Sequence, residues 1–228
     1  MVQGIIEFVK RNLTADMVRG GNVLEIGSLN VNGSVREYVE SLGPKSYTGI
    51  DLQAGPGVDL VMPVNDCINR FGCYQFDVVL CLCTLEHIED WREAVRQMTT
   101  VLRLRGKLVF AAPAPGFPYH PYPKDYWRFT EYDIMHAFPG FSLFTGSQQQ
   151  GHNMVILRRW GVYQVSNDFT PHRVVIRPWS RLAFQARAWA VKCWHWLARR
   201  EHWGRFLLDL YRVPVKWILF ALLPHLRR

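Results

Sequence analysis

Apolar positions along the first 160 residues switch between the spacing of helices and that of strands. Ile5, Phe8, Val9 and Leu13, with Asn12 beside them, line one side of an amphipathic helix predicted over 3–18. Val23, Leu24 and Ile26 make a short run, residues 22–26, that ends at Gly27. Asn32-Gly33-Ser34 then offers a helix start ahead of the periodic Val35, Tyr38, Val39 and Leu42. Strands follow at 47–51 and 58–61, separated by about six residues, too few for the usual crossover helix, so that connection is abbreviated. The pattern continues with a short helix at 64–71, a buried central strand at 76–82, a helix at 91–102 and a strand at 106–112. Residues 113–123 carry five prolines among eleven positions and must form a loop. A short helix at 130–138 and strands near 141–147 and 152–158 complete the expected α/β sheet, mostly parallel and seven-stranded or slightly reduced.

Open sheets of this kind bind ligands outside the carboxyl ends of their strands, and two acids stand there. Glu25 closes the first strand, and Asp51 closes the second, where a carboxylate can accept both ribose hydroxyls. Asp51 alone does not say which nucleoside. The loop between them narrows the choice. A dinucleotide fingerprint needs G-x-G-x-x-G, but Leu29 occupies the second glycine position and Gly27 and Gly33 stand six apart. A phosphate-binding P-loop needs a lysine that this loop lacks. S-adenosylmethionine carries an ammonium and a sulfonium but no phosphate, and Glu25 beside small residues suits it. The competing reading is an α/β domain in which Glu25 caps a helix and Asp51 merely ends a strand.

Four segments decide between these readings: EIGSLNVNGSVR from Glu25 to Arg36, GPGVD from Gly55 to Asp59, LEHI from Leu85 to Ile88, and HPYPKDYWRFT from His120 to Thr130. In this order they resemble a bacterial subgroup of the class I S-adenosylmethionine-dependent methyltransferases, over most of residues 20–160. The resemblance implies a Rossmann-like sheet, S-adenosyl-L-methionine as cofactor, Glu25 and Gly27 at its methionine part and Asp51 at its ribose. The expected cofactor-binding set is Glu25, Gly27, Ser28, Asp51, Leu52, Val64, Asn65 and Cys81. One departure concerns adenine. Where such enzymes commonly place an acid after the third strand, this chain has Met62-Pro63, which leaves the Val64 backbone, Asn65 or Asp66 for that contact.

The chemistry is expected above the central strand. His87 follows FDVVLCLCTLE directly, and a histidine titrating near neutrality suits a general base for an acceptor hydroxyl. A capping or loop-holding histidine is the alternative, and class I transfer draws so much on orientation that a base is dispensable. The proline-stiffened aromatic loop reads as a lid over the acceptor, with His120 and Tyr126 as further catalytic candidates and Asp125, Trp127 and Arg128 as substrate contacts. Alternatively DYWRFT locks the loop, with Trp127 and Phe129 in the core and Asp125 paired to Arg128.

Composition adds a second theme. At 228 residues the chain exceeds a typical domain of roughly 100–150, and it divides into a domain at 1–160 and an appendage at 161–228. Residues 1–160 hold 15 Lys+Arg against 16 Asp+Glu, whereas 161–228 hold 12 against 3 and six of the nine tryptophans. In the appendage Arg181, Gln185, Ala188, Lys192, His195 and Arg199 form one helical stripe, opposite Leu182, Ala186, Trp189, Ala190, Trp194 and Leu197. Arg205, Asp209, Arg212 and Lys216 form another. The run WILFALL has seven residues, against the ~20 needed to span a bilayer, so these helices are expected to lie on an anionic membrane surface through residues 179–228. Their rival roles are covering the domain or joining an oligomer. An RNA partner is disfavoured because no RNA-binding module accompanies the basic face. The five cysteines lack metal-ligand spacing, so no metal is expected, and the odd count without a signal peptide fits the cytoplasm, at the inner face of the membrane. The expected function is methyl transfer to an oxygen or nitrogen of a small-molecule, glycan or lipid-linked acceptor. A non-catalytic cofactor binder, a membrane-peripheral scaffold and an RNA methyltransferase are the alternatives.

Overall fold

The computed structural model describes residues 3–120, 124–161 and 169–174. Its centre is a seven-stranded sheet of β1 (Asn22–Ile26), β2 (Ser46–Asp51), β3 (Leu60–Val61), β4 (Phe76–Leu82), β5 (Leu102–Pro113), β7 (Phe141–Gln149) and β8 (His152–Arg159), in the order β3-β2-β1-β4-β5-β8-β7. The first five pair in parallel, and β8 runs antiparallel to both β5 and β7. The chain winds from β1 outward to β3, then returns to lay β4 on the other side of β1. That reversal opens a crevice at the carboxyl ends of β1 and β4, the usual place for a ligand in such sheets.

The period of two in the strands sorts the core into two layers. Leu24, Ile26, Val79, Cys81, Leu108 and Phe110 face one way, among residues of α4 (Cys67–Phe71), α5 (Trp91–Val101) and α6 (Glu131–Ala137). Val23, Val78, Leu80, Val109 and Ala111 face the other, with α1 (Gln3–Asn12), α2 (Ala15–Val18) and α3 (Arg36–Ser41). Two helices start where side chains satisfy free backbone donors. Asp90 accepts from Glu93 N at 3.1 Å before α5, and Thr130 and Asp133 form a reciprocal capping box before α6.

Several boundaries differ from the expected ones. The helix expected over 3–18 is two helices, because Thr14 is extended (φ −107°, ψ 167°) and restarts the chain as α2. The helix expected over 64–71 is a 3-10 turn at Val64–Asp66 followed by α4. β3 keeps only two residues, because the Asp59 carboxylate turns back to accept from Gly49 N at 2.6 Å and from Arg36. β5 starts at Leu102, four residues early, and an irregularity separates Phe76↔Leu102 from Val78↔Lys107, with Arg105 in the left-handed region at φ 65°. An unexpected ribbon joins β6 (Trp127–Arg128) to β9 (His172–Arg173). Contacts divide the chain into residues 1–175 and 176–228, and the basic stripes expected at 179–228 lie outside the described residues. Among the described residues no helix is long and apolar enough to cross a membrane.

Candidate active site

The loop after β1 is shaped by close approach. Gly27 has φ 77°, and a Cβ there would meet Thr84 Oγ1 at 2.0 Å, because the chain leaving β4 crosses directly over it. Thr84 fixes that crossing by donating to Ile26 O at 3.1 Å. On the other side, residues 55–57 fold back onto the loop, with Asn30 N donating to Pro56 O at 2.8 Å. Arg36 clamps this second segment through Gly57 O and both oxygens of Asp59.

Within this cradle Glu25 is 2% exposed and accepts from Tyr47 Oη at 2.6 Å. Burial pushes its carboxyl up to about 7, against the pull of the Tyr47 hydrogen bond and the Arg36 charge. A buried acid with so few donors is matched by a cationic ligand group, such as an ammonium. Ser28 Oγ lies nearby, buried and without a hydrogen-bond partner. Asp51 Oδ2 accepts from Leu29 N at 3.2 Å and Oδ1 from Gln53 N at 3.1 Å, which orients the carboxylate and leaves lone pairs for hydroxyl donors. Leu52 is exposed beyond it, and Met62 N donates to Asp51 O at 2.9 Å, bringing the Val64–Asp66 turn beside the end of β2. Val64 is buried and Asn65 exposed. Cys81 is buried opposite Ile26 on β4, where burial holds its thiol well above the usual range. The acid, the hydroxyl acceptors, the orphaned serine and the glycine cradle together fit S-adenosylmethionine.

A second group forms where the Pro-rich loop returns over the end of β4. Glu86 and His87 lie in a 3-10 turn (Leu85–His87), and Tyr126 N donates to Glu86 O at 2.8 Å, tying the loop to that turn. His120 and His87 meet edge to face with ring centroids 5.0 Å apart. Their Nε2 atoms lie 3.9 and 4.0 Å from Glu86 Oε1. His87 Nδ1 bonds Lys124 O, which leaves Nε2 as the ring's lone pair. Burial moves His87 below its ordinary value and keeps it neutral, whereas for His120 the Asp125 and Glu86 carboxylates outweigh burial and raise it. Glu86 is wholly buried, and burial pushes it up to about 7.

Asp125 and Arg128 are spent on the loop itself. Arg128 Nη2 donates to Asp125 Oδ2 at 2.7 Å and to Pro118 O at 3.1 Å, while Asp125 also accepts from His120 N at 2.9 Å. Trp127 is buried and donates to Ile88 O at 2.8 Å. Tyr126 is half-buried between this lock and the core. The structure therefore brings together His87, His120 and the loop's Asp125, with Tyr126 one residue away in sequence, and it places Arg128 and Trp127 beneath them. Glu86 is the functional candidate that residue-by-residue reading missed. Its signal was its place beside His87 in the LEHI segment, but only the folded loop removes it from water.

Comparison with known proteins identifies the family and the fold. A family model described as a methyltransferase domain matches residues 3–155. No curated protein sequence matches the chain. Among solved structures, the Burkholderia thailandensis 1,6-didemethyltoxoflavin-N1-methyltransferase, bound to 1,6-didemethyltoxoflavin and S-adenosylhomocysteine, superposes with a TM-score of 0.57 at 18% identity, over 70% of this chain and 80% of that one. An S-adenosylmethionine-dependent methyltransferase structure from Listeria monocytogenes gives 0.53 at 14%, over 70% and 100%. One from Archaeoglobus fulgidus gives 0.52 at 12%, over 69% and 94%.

Proposed function

The chain belongs to the methyltransferase-domain family and is an S-adenosylmethionine-dependent enzyme, and from that premise we propose that it methylates an oxygen or nitrogen of a small-molecule, glycan or lipid-linked acceptor. The observation that carries this reading is the pairing of two sites across one crevice. Glu25 and Asp51 end β1 and β2 on the cofactor side, and the His87–His120 group stands at the end of β4 under the Pro-rich loop. When bound, the cofactor supplies an electrophilic methyl group on sulfur. Glu25 would meet its ammonium, Ser28 and the Gly27 backbone its methionine part, Asp51 and Leu52 the ribose, and Val64 and Asn65 the adenine, with Cys81 buried alongside.

On the acceptor side His87 is neutral at physiological pH, so it is the imidazole able to take a proton from an acceptor hydroxyl or amine. His120 and Tyr126 line the approach, while Asp125, Trp127 and Arg128 set the loop's shape and with it the acceptor's shape. The Burkholderia neighbour, an N1-methyltransferase crystallised with its small heterocycle, is a precedent for an acceptor of that size. The appendage at 161–228, basic and rich in tryptophan, is read as a membrane-surface element that would bring the enzyme to a lipid-linked acceptor.

Calorimetry with S-adenosylmethionine and with S-adenosylhomocysteine tests the cofactor side. Asp51→Ala is expected to weaken both by about 1–3 kcal/mol, the scale for removing a buried polar partner. Unchanged binding would take Asp51 out of the site, and preference for a nicotinamide dinucleotide would overturn the assignment.

A further inference from the structure

Among the described residues the Glu86 carboxylate is the buried acid least accounted for by its neighbours. It is fully buried, and neither oxygen accepts a well-formed hydrogen bond, its weak donors being its own backbone N–H and the Cys83 thiol. Its titratable neighbour from the end of β4 is the Cys83 thiol, a weak donor that burial and Glu86 hold in the protonated form. A carboxylate removed from water without strong donors is costly unless it is neutralised by a proton or a cation. Two imidazole nitrogens face it. One nitrogen of each ring and a Glu86 oxygen lie within 4.8 Å of one another.

The orientation of the two rings is already set from behind. Lys124 O engages His87 Nδ1, and Asp125 Oδ2 lies 3.0 Å from His120 Nδ1, close enough to orient it though off the angle of a well-formed hydrogen bond. Both contacts favour a proton on Nδ1 and a lone pair on Nε2, the nitrogen that lies 3.9–4.0 Å from Glu86 Oε1. An imidazole backed by a carboxylate or carbonyl in this way is the usual outer support of a metal ligand. Asp125 is itself anchored by Arg128 through both guanidinium nitrogens, so the support is rigid.

We propose that Glu86, His87 and His120 form a three-ligand site for a divalent transition-metal ion of the zinc type. Ligands on one tetrahedral zinc at about 2.0–2.2 Å lie about 3.4 Å apart. The 3.9 and 4.0 Å separations from Glu86 therefore need to contract by about half an ångström, and the two imidazole nitrogens, within 4.8 Å of each other, by up to about 1.4 Å, through rotation of the side chains. Two nitrogens and one oxygen favour zinc and its neighbours over magnesium or calcium, which prefer all-oxygen shells. Three protein ligands leave a coordination position open, as in catalytic zinc sites. Taken with the proposed methyl transfer, on which this part rests, an acceptor oxygen is the natural fourth ligand. In the loaded protein both Nε2 lone pairs are occupied, so neither ring acts as a base there.

The test is calorimetric titration of the full-length chain, stripped with a chelator, with zinc, alongside S-adenosylmethionine binding on the same sample. One zinc per chain is expected, with micromolar or tighter affinity. Glu86→Gln keeps volume and removes the charge, and it should weaken zinc at least 100-fold, as should His120→Ala. Cobalt in place of zinc should give visible ligand-field bands without thiolate charge-transfer absorption, which excludes the cysteines as ligands. Absence of stoichiometric zinc, or zinc affinity unchanged in Glu86→Gln, overturns the site. Should His120→Ala lose its thermal transition, Glu86→Gln and the cobalt spectrum still decide. Cofactor binding that persists without metal binding defeats this site and leaves the methyltransferase reading standing. Metal binding without cofactor binding does the reverse.

Discussion

Glu25 couples proton and cofactor in one side chain. Burial holds its carboxyl at about 7, well above an unfolded glutamate, so the protonated form is favoured in the folded chain. The stability this gives is complete below the unfolded value near 4.3 and is lost as pH rises through about 7. An ammonium placed beside Glu25 reverses the preference. Cofactor binding at pH 6.5 should therefore release up to about three-quarters of a proton, seen as a dependence of calorimetric enthalpy on buffer ionisation heat, and affinity should fall as pH drops from 8 to 6. Glu25→Gln should abolish that proton release; release that persists in the variant would assign it to another group. At the acceptor side His87→Ala should lower turnover about 100-fold or more with cofactor affinity nearly intact, whether the ring takes the acceptor's proton in the metal-free protein or holds the proposed ion, whereas loss of the folded state would make His87 a loop holder. The two acids were legible in the sequence because a strand's end is marked by where its apolar run stops. Glu86 was not, because its burial comes from a loop that returns from about 40 residues downstream, and no local pattern near position 86 records that.

At the scale of elements, two crossings hold the site, and each makes a distinct forecast. Gly27→Ala puts a methyl 2.0 Å from Thr84 Oγ1 at a positive φ, so the variant should lose stability by about 1–3 kcal/mol or more and bind cofactor poorly. Thr84→Ala in the same chain should recover part of the loss in a thermal melt, and no recovery would mean that φ rather than the clash dominates. The Pro-rich loop depends on the buried Asp125–Arg128 pair. Although burial opposes its charge, Arg128 and His120 hold the Asp125 carboxyl far below the ordinary range, so its contribution is present above pH 4 and is lost on acidification below it. Arg128→Met leaves Asp125 charged and unpaired and should cost roughly 3–5 kcal/mol in denaturant unfolding. The sequence carried strong notice of strand cores and of the loop itself, since both follow from local composition. It gave none of the β6–β9 ribbon, whose partners lie about 45 residues apart, nor of the break at Thr14, where an apolar stripe continues through a residue that leaves the helical region.

For the whole molecule, the mostly parallel seven-stranded sheet was foreseeable because alternating strand and helix patterns admit few right-handed windings, and the family resemblance implied the Rossmann-like one. What the pattern could not assign is the purpose of the charge imbalance. The first 160 residues are nearly neutral, while 161–228 carry 12 Lys+Arg against 3 Asp+Glu and six tryptophans. If this segment lies on a bilayer, its tryptophans bury in the interface and each Lys or Arg near anionic headgroups adds about 1 kcal/mol, weakened as salt screens it. Flotation with vesicles should therefore require anionic lipid, diminish as salt is raised and vanish on deletion of 179–228, while the shortened chain still binds cofactor. A full-length chain that stays at the bottom of the gradient with anionic vesicles at low salt would favour helices packed against the domain or a second copy. Insolubility of the shortened chain would make the segment part of the folding unit, because the apolar stripe of Leu182, Trp189 and Trp194 would then be needed to cover a core that the first 160 residues leave open.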